Sequence, residues 1–153
     1  MKRLPLLALL LLCLALPTPA AAAVTTKHYS LDPPDDWVMI KGPSRERDAT
    51  FLHLGTRDHS CSASITTYES RSPSDVQDLA KDTARSLGAG PPAKAKGQYQ
   101  GKFTQKGVKG YFVVREDPKA KLLLRLIVSG ETRKADFLFR MRSPHKALIP
   151  AKP

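Results

Sequence analysis

Residues 120–142 carry the clearest structural pattern in the sequence: Ala120-Lys-Leu-Leu-Leu-Arg-Leu-Ile-Val-Ser-Gly-Glu-Thr-Arg-Lys-Ala-Asp-Phe-Leu-Phe-Arg-Met-Arg142. Two alternating apolar stretches flank Gly130-Glu131, and glycine at the first turn position is typical of a type II′ hairpin turn. The pattern predicts a hairpin in which Leu126 faces Ala135, Leu124 faces Phe137 and Leu122 faces Phe139. On the other face it sets Arg125 opposite Asp136, a favourable cross-strand pair.

The residues before this hairpin extend it into a predicted C-terminal four-stranded meander. A turn at Lys106-Gly107 pairs Gly101 with Phe112 and Phe103 with Gly110, so that each glycine faces a ring. A turn at Val108-Lys109 is also possible and keeps the same faces. The loop at Asp117-Pro118-Lys119 then pairs Val114 with Leu122 and Phe112 with Leu124. These registers collect one apolar face: Tyr99, Phe103, Phe112, Val114, Leu122, Leu124, Leu126, Phe137 and Phe139.

One helix is predicted at about 73–87. Ser72 is a suitable N-cap, Pro73 suits the first helical position, and Asp75 completes a capping-box arrangement. Gly88 can take the left-handed position that ends a helix. Apolar positions recur at helical spacing and form one stripe, which we expect to pack on the apolar face of the meander: Val76, Leu79, Ala80, Thr83 and Leu87.

The N-terminal half predicts further strands. Residues 28–32 and 37–40 alternate or run apolar, with a proline-rich turn at 33–36 and a loop at 44–48. Residues 49–54 and 60–69 form a second hairpin around 55–58, with one face that includes Cys61 and Ile65. The expected fold class is α+β, an antiparallel sheet of about seven to eight strands against one main helix.

The first residues predict export. Met1-Lys2-Arg3 is basic, Leu4 to Leu16 is apolar except for Pro5, and small residues follow up to Ala23. This pattern is typical of a cleaved signal peptide, residues 1–23, and predicts a periplasmic or secreted protein. A retained membrane anchor is the alternative. The remaining residues, 24–153, are expected to form a single domain with an irregular tail at 143–153 and no transmembrane segment.

The net charge indicates the class of binding partner, and the cysteine content bears on disulfide formation. The chain carries 25 Lys and Arg against 14 Asp and Glu, a formal net charge of +11. An exported basic protein is expected to meet anionic lipid, glycan or an acidic protein rather than nucleic acid. After removal of residues 1–23 only Cys61 remains, so no intramolecular disulfide is expected.

No catalytic, metal or cofactor motif stands out. Asp58-His59-Ser60-Cys61 contains residue types that serve as nucleophile and base. Because neighbours in a strand point to opposite faces, these side chains are not expected to align for catalysis. Cys61 is interpreted as a buried structural cysteine. His53 can face either His59 or Cys61 across the second hairpin, which makes a weak copper or zinc site a hypothesis. We expect no cofactor.

The reverse face of the meander gives the candidate interaction surface. The same registers place an apolar band with a basic rim on that face, including Ile127, and the site residues are Tyr111, Val113, Leu123, Arg125, Leu138 and Arg140. Such a band is unexpected on a sheet face open to solvent. Either other parts of the chain cover it, residues 37–40 or Leu148-Ile149, or it binds a partner.

The predicted domain opens with Tyr29-Ser-Leu-Asp-Pro-Pro-Asp-Asp-Trp37, and strand pairs precede one helix and a meander. This order of elements resembles the PsbP-like fold group, which includes bacterial periplasmic relatives such as DcrB. It implies an α/β sandwich and a non-enzymatic accessory role, and it transfers no functional residues.

The leading hypothesis is therefore a small exported, non-catalytic binding module of the cell envelope, monomeric or homodimeric, that interacts with a protein or an anionic envelope component. The alternative is an envelope enzyme or metal carrier that uses Cys61 and the histidines.

Overall fold

A computed structural model describes residues 22–46 and 48–153. A two-stranded ribbon pairs β1 (Val24–Thr25) with β2 (Ser30–Leu31). The main element is a separate seven-stranded antiparallel sheet, and its strands are β3 (Trp37–Glu46), β4 (Ala49–Thr56), β5 (Cys61–Glu69), β6 (Ala93–Ala95), β7 (Gln98–Gln105), β8 (Val108–Asp117) and β9 (Leu122–Gly130). The order of these strands in the sheet is β3-β4-β5-β9-β8-β7-β6. The α+β class and the antiparallel sheet are confirmed.

The sheet has a different cover on each face. The helix α1 (Asp75–Ser86) packs on β7 and β8. Its buried residues meet a small cluster that includes Phe103, Phe112 and Leu123. The 3₁₀ helix Thr132–Arg140 and the C-terminal residues cover the other face, where a larger cluster surrounds Trp37 and Leu126. Each apolar layer is thus enclosed between one face of the sheet and the elements that pack on it.

The predicted hairpin at residues 120–142 is wrong in its second half. Residues 132–140 form a 3₁₀ helix rather than a strand. The edge of β9 that a hairpin partner would need is occupied by β5, with Cys61 opposite Gly130 and Glu69 opposite Leu122. Gly130 has φ +92°, which turns the chain out of the sheet, and a side chain at this position would collide with the Ser60 carbonyl.

The predicted register between β8 and β9 is also wrong. Phe112 pairs with Ile127 and Val114 with Arg125, a slip of three residues from the predicted pairs. An odd slip exchanges the faces of a strand. Leu122, Leu124 and Leu126 therefore lie on the face opposite Phe112. The cause is the turn before β9, which reaches to Lys121, a residue with φ +53°.

The register between β7 and β8 is confirmed in full. Tyr99 pairs with Val114, Gly101 with Phe112 and Phe103 with Gly110. A side chain at Gly101 would meet the Phe112 ring. The predicted hairpin of β4 and β5 is likewise confirmed, and β5 buries Cys61 and Ile65 on one face.

Two boundaries differ from the predictions. The helix begins at Asp75 rather than residue 73, because the Asp75 carboxylate accepts hydrogen bonds from the backbone amides of Arg71 (2.6 Å) and Ser72 (2.9 Å) in a turn before it. Residues 44–46, predicted as a loop, continue β3 beyond two bulges.

No helix within the described ranges is long and apolar enough to cross a membrane. Residues 1–21, which hold most of the predicted signal peptide, lie outside those ranges.

Candidate functional site

The predicted interaction surface does not form one exposed band. Val113 and Leu138 are fully buried in the larger cluster, beside Tyr111. Leu123 is 4% exposed on the opposite face, beneath α1. The register slip of β9 separates these side chains. The expected cover by residues 37–40 and 148–149 is partly confirmed, because Trp37 and Leu148 pack in the core whereas Met39 and Ile40 are exposed.

The two polar residues of the predicted surface have different surroundings. Arg125 lies over the Tyr68 ring, 5.4 Å from its centroid, on the helix-side face. Its Nη2 lies 3.5 Å from the Thr66 hydroxyl, at the limit of a hydrogen bond. The predicted partner Asp136 instead accepts a hydrogen bond from Lys152 (2.6 Å). Arg140 ends the 3₁₀ helix and is exposed.

A basic groove lies at the end of the sheet where β9 stops. Its volume is about 470 Å³, and its lining includes Lys102, Lys109, Tyr111, Glu131, Thr132 and Arg133. The register of β7 with β8 places Lys102 and Lys109 on the same face as Tyr111. The first turn of the 3₁₀ helix adds Arg133 from above. Three cations thus converge on one groove against one carboxylate.

An ion-paired cluster holds the wall of this groove. Lys134 Nζ donates to Asp58 Oδ2 (2.8 Å) and to Ser60 Oγ (2.7 Å), and it lies 3.4 Å from Glu131 Oε2. Ser60 donates to Asp58 through its hydroxyl (2.7 Å) and its amide (3.0 Å). These contacts tie the β4–β5 turn to the 3₁₀ helix. They also draw Glu131 toward Lys134.

The cluster places Ser60 beside Lys134, the two residue types of a serine–lysine catalytic pair. The charges around Lys134, however, oppose its action as a general base. The hydrogen bond from Lys134 is the main cause that holds the pKa of Asp58 well below its usual range. Asp58 in turn raises the pKa of Lys134, so the ammonium stays protonated. A general base must be able to accept a proton near the working pH. Lys134 in this state cannot deprotonate Ser60.

Cys61 is a buried free thiol, as predicted. It is 2% exposed, and burial raises the pKa of the thiol to about 11. A thiol in this state is a poor nucleophile, because the thiolate is the reactive form.

The hypothesis of a metal site at His53 finds no support in the geometry. His53 pairs with Ser64 and therefore faces neither His59 nor Cys61. Its neighbours in β4, Leu52 and Leu54, share the face of Cys61, so His53 points to the opposite side. Across residues 22–46 and 48–153, no three His, Cys, Asp or Glu side chains are grouped to hold a metal ion.

The opposite end of the sheet holds a histidine cleft that the sequence patterns missed. His28 and His145 lie with ring centroids 5.9 Å apart. They line a cleft of about 360 Å³ together with Lys27, Glu69 and Lys121. Burial, Lys27 and His145 lower the pKa of His28, in that order. His145 Nδ1 is 3.7 Å from the Asp117 carboxylate.

The two histidines are 117 positions apart, so no local spacing could pair them. The ribbon and the C-terminal segment bring them together. Ser30 and Arg142 exchange backbone hydrogen bonds (2.8 and 2.9 Å), and the Ser143 hydroxyl donates to the His28 carbonyl (2.7 Å).

Comparisons with known proteins give no family. No protein-family model matches the chain, and no curated protein matches it. Among solved structures, the chain is similar to a crystal structure from Bacteroides thetaiotaomicron VPI-5482 at 1.50 Å resolution, with 11% sequence identity and a TM-score of 0.45. The match covers 75% of this chain and 44% of that chain. The PsbP-like sandwich stays a prediction.

Proposed function

We propose that this protein is a small exported binding module of the cell envelope whose basic groove holds an anionic group of an envelope component. The observation that carries the proposal is the convergence of Lys102, Lys109 and Arg133 on one groove of about 470 Å³. Cations that share a concave surface reinforce one another's attraction for an anion and raise its local concentration.

The wall of the groove strengthens this proposal. Glu131 is the acidic residue of the lining, and Lys134 lies within ion-pair distance of it. The carboxylate is therefore partly neutralised, and the three outer cations act on a ligand with little opposition. The low exposure of Lys134, 30% of its side chain, fits a structural role for this residue rather than direct ligand contact.

A non-catalytic role is the second part of the proposal. Ser60 and Cys61 are the nucleophiles that sequence reasoning singled out, and both lie beside the groove. The first has a protonated lysine and an ionised aspartate as neighbours, and the second is a buried thiol. Binding without bond breaking agrees best with these two environments.

Sedimentation with lipid vesicles tests the groove. The wild type should bind vesicles that contain phosphatidylglycerol and should not bind vesicles of phosphatidylcholine alone. Each cation near an anionic surface contributes about 1 kcal/mol, so reversing two of them with Lys102→Glu and Arg133→Glu should weaken binding about 30-fold or more.

The matched control is the double variant Lys81→Glu and Lys119→Glu. It makes the same change in net charge on the exposed side of α1 and in the β8–β9 turn. It should retain binding within about threefold, since screening limits the reach of exposed charges to about 10 Å. Equal losses of vesicle binding in the two double variants would refute a groove-specific site. Net charge alone would then explain the binding.

The export part of the proposal has its own test. Expression of the full chain in a Gram-negative host should release the protein with the periplasmic fraction. Mass spectrometry should find a mature N-terminus near Val24. A cytoplasmic protein that retains residues 1–23 would contradict export without bearing on the groove.

A further inference from the structure

A small polar cavity lies between the ribbon and the part of the main sheet that β3, β4 and β5 form. Its volume is about 140 Å³. Arg45 of β3 pairs with Thr50 of β4, and Thr50 pairs with Thr67 of β5. Side chains that are directly opposite on neighbouring strands share one face of the sheet. These three residues, all of which line the cavity, therefore form one row along its floor.

The turn between β1 and β2 supplies a wall of the cavity through Lys27 and His28. The Thr26 hydroxyl accepts hydrogen bonds from the backbone amides of His28 (3.2 Å) and Tyr29 (3.1 Å). The Ser143 hydroxyl donates to the His28 carbonyl (2.7 Å) from the other side. The protein's own hydrogen bonds thus hold this wall in place before any ligand binds.

Two buried polar atoms belong to residues that line this cavity. They are Thr67 Oγ1 and His28 Nδ1, and among the described residues neither has a hydrogen-bond partner. Thr67 is 2% exposed. Buried polar groups are nearly always paired, because an unpaired one is costly. A polar ligand in the cavity would satisfy both atoms.

The charges of the lining favour an anion as that ligand. Lys27 and Arg45 bring two cations close enough to His28 to lower its pKa. Of the two carboxylates in the lining, Asp48 is ion-paired with Arg71. Glu69 is the other carboxylate, and it acts on His28 in the opposite direction to the two cations. An anion that also carries a proton would suit this lining, because the proton can be donated to Glu69.

The size of the cavity and this need for a proton narrow the class of anion. At about 30 Å³ for each water in the liquid, the cavity has room for about five non-hydrogen atoms, the size of a tetrahedral oxyanion. Inorganic phosphate keeps one proton as hydrogen phosphate at pH 8. Sulfate has no proton to donate, and a phosphate monoester loses its last acidic proton at a pKa of about 6.

We propose that this cavity is a binding site for one free hydrogen phosphate ion. Lys27 and Arg45 balance its charge, and the Thr67 hydroxyl and His28 Nδ1 donate hydrogen bonds to its oxygens. The proton of the ion donates to Glu69. This site is separate from the basic groove, which lies at the other end of the main sheet.

Isothermal titration calorimetry of the full chain at pH 8 tests the site. Inorganic phosphate should bind one ion per chain with a dissociation constant below about 1 mM. Sulfate and glycerol phosphate should each bind at least about tenfold more weakly, because neither can donate to the carboxylate of Glu69. Glu69→Gln replaces that carboxylate with an amide that can donate, so sulfate and phosphate should then bind with affinities within about threefold of each other.

Thr67→Val removes the unpaired hydroxyl and nearly conserves the shape of the side chain. It should weaken phosphate binding about tenfold, and it should not lower the melting temperature measured without phosphate. Thr66→Val is the matched control, because Thr66 is the adjacent buried threonine and points to the opposite face of β5. It should bind phosphate within about threefold of the wild type.

Four results would overturn the proposal. They are phosphate binding by the wild type weaker than about 1 mM, sulfate binding as tight as phosphate binding, an unchanged phosphate affinity in folded Thr67→Val, and loss of phosphate binding in the double variant Lys102→Glu and Arg133→Glu. The last result would place the ion in the basic groove, whereas phosphate binding that persists in this variant supports the cavity whatever the vesicle experiment shows. If Thr67→Val does not fold, Arg45→Gln decides, since Arg45 is exposed and its loss should weaken phosphate binding about fivefold; an unchanged affinity would overturn the site.

Discussion

The two ends of the main sheet differ in the charged side chains that line them. At the end where β9 stops, cations line an open groove, and a separate network of Asp58, Ser60 and Lys134 fixes the wall. At the other end, His28 and His145 lie in a cleft with charged neighbours of both signs. The first end can attract an anion with fixed positive charge. The second changes its charge with pH.

The floor of the basic groove gives the largest expected effect on stability. Gly110 lines the groove, and a side chain there would collide with the Phe103 ring and the Val128 carbonyl. Gly110→Ala should lower the free energy of unfolding by about 1–3 kcal/mol, as overpacking of a filled site does. Urea denaturation measures this loss. Gly90→Ala, where nothing lies within 4 Å, is the control and should be close to neutral.

A substitution in the wall of the groove should have an intermediate effect on stability, and this effect should depend on pH. The folded-state pKa of Asp58 is lowered by Lys134 and Ser60. Its stabilising contribution is therefore present above the unfolded pKa of about 4 and is lost as the pH falls below it. Asp58→Asn should be less stable than the wild type at pH 7, and the difference should shrink below pH 4. Asp35→Asn, which removes a carboxylate from an exposed turn, is the control. A difference between Asp58→Asn and the wild type that stays constant with pH would contradict the ion-pair explanation.

A substitution in the histidine cleft should have the smallest effect on stability, and this effect should be confined to a different pH range. The folded-state pKa of His28 is lowered by burial, Lys27, His145 and Arg45 and is raised in part by Glu69. The unfolded chain therefore binds more protons as the pH falls through about 6.5, and stability decreases there. His28→Gln should reduce this slope in thermal unfolding between pH 7 and 5.

His53 provides the internal comparison for this prediction. Burial lowers its pKa as well, so the single variant should keep part of the slope. The double variant His28→Gln and His53→Gln should flatten it further. His59→Asn, in the exposed β4–β5 turn, is the control. An unchanged slope in the double variant would contradict the assignment.

Local patterns predicted the parts of the fold that local contacts decide. The β7–β8 hairpin and its glycine–aromatic pairs follow from one short turn, and the helix follows from its stripe. The second half of residues 120–142 failed because β5, more than 50 positions away, occupies the edge of β9. No turn signal reports that competition.

A missed signal was nevertheless present in that segment. Ala135, Leu138 and Met141 recur at intervals of three and are all buried. This spacing fits the three residues per turn of a 3₁₀ helix. Alternation around Phe137 and Phe139 suggested a strand instead. The strand prediction left the face of Tyr111 and Val113 without a cover, whereas the 3₁₀ helix and the C-terminal residues bury it. The wrong register of β9 separately misplaced Leu123. The groove was not predicted, although its three cations, Lys102, Lys109 and Arg133, are visible in the sequence.

An NMR titration of the full chain with a soluble short-chain phosphatidylglycerol tests the basic groove most directly, because it compares the two ends of the sheet in one experiment. The account predicts that amide shifts concentrate at Lys102, Gly110, Thr132 and Arg133 and are weak at His28 and His145. The largest shifts at the histidine cleft, or uniform small shifts over the whole surface, would contradict it.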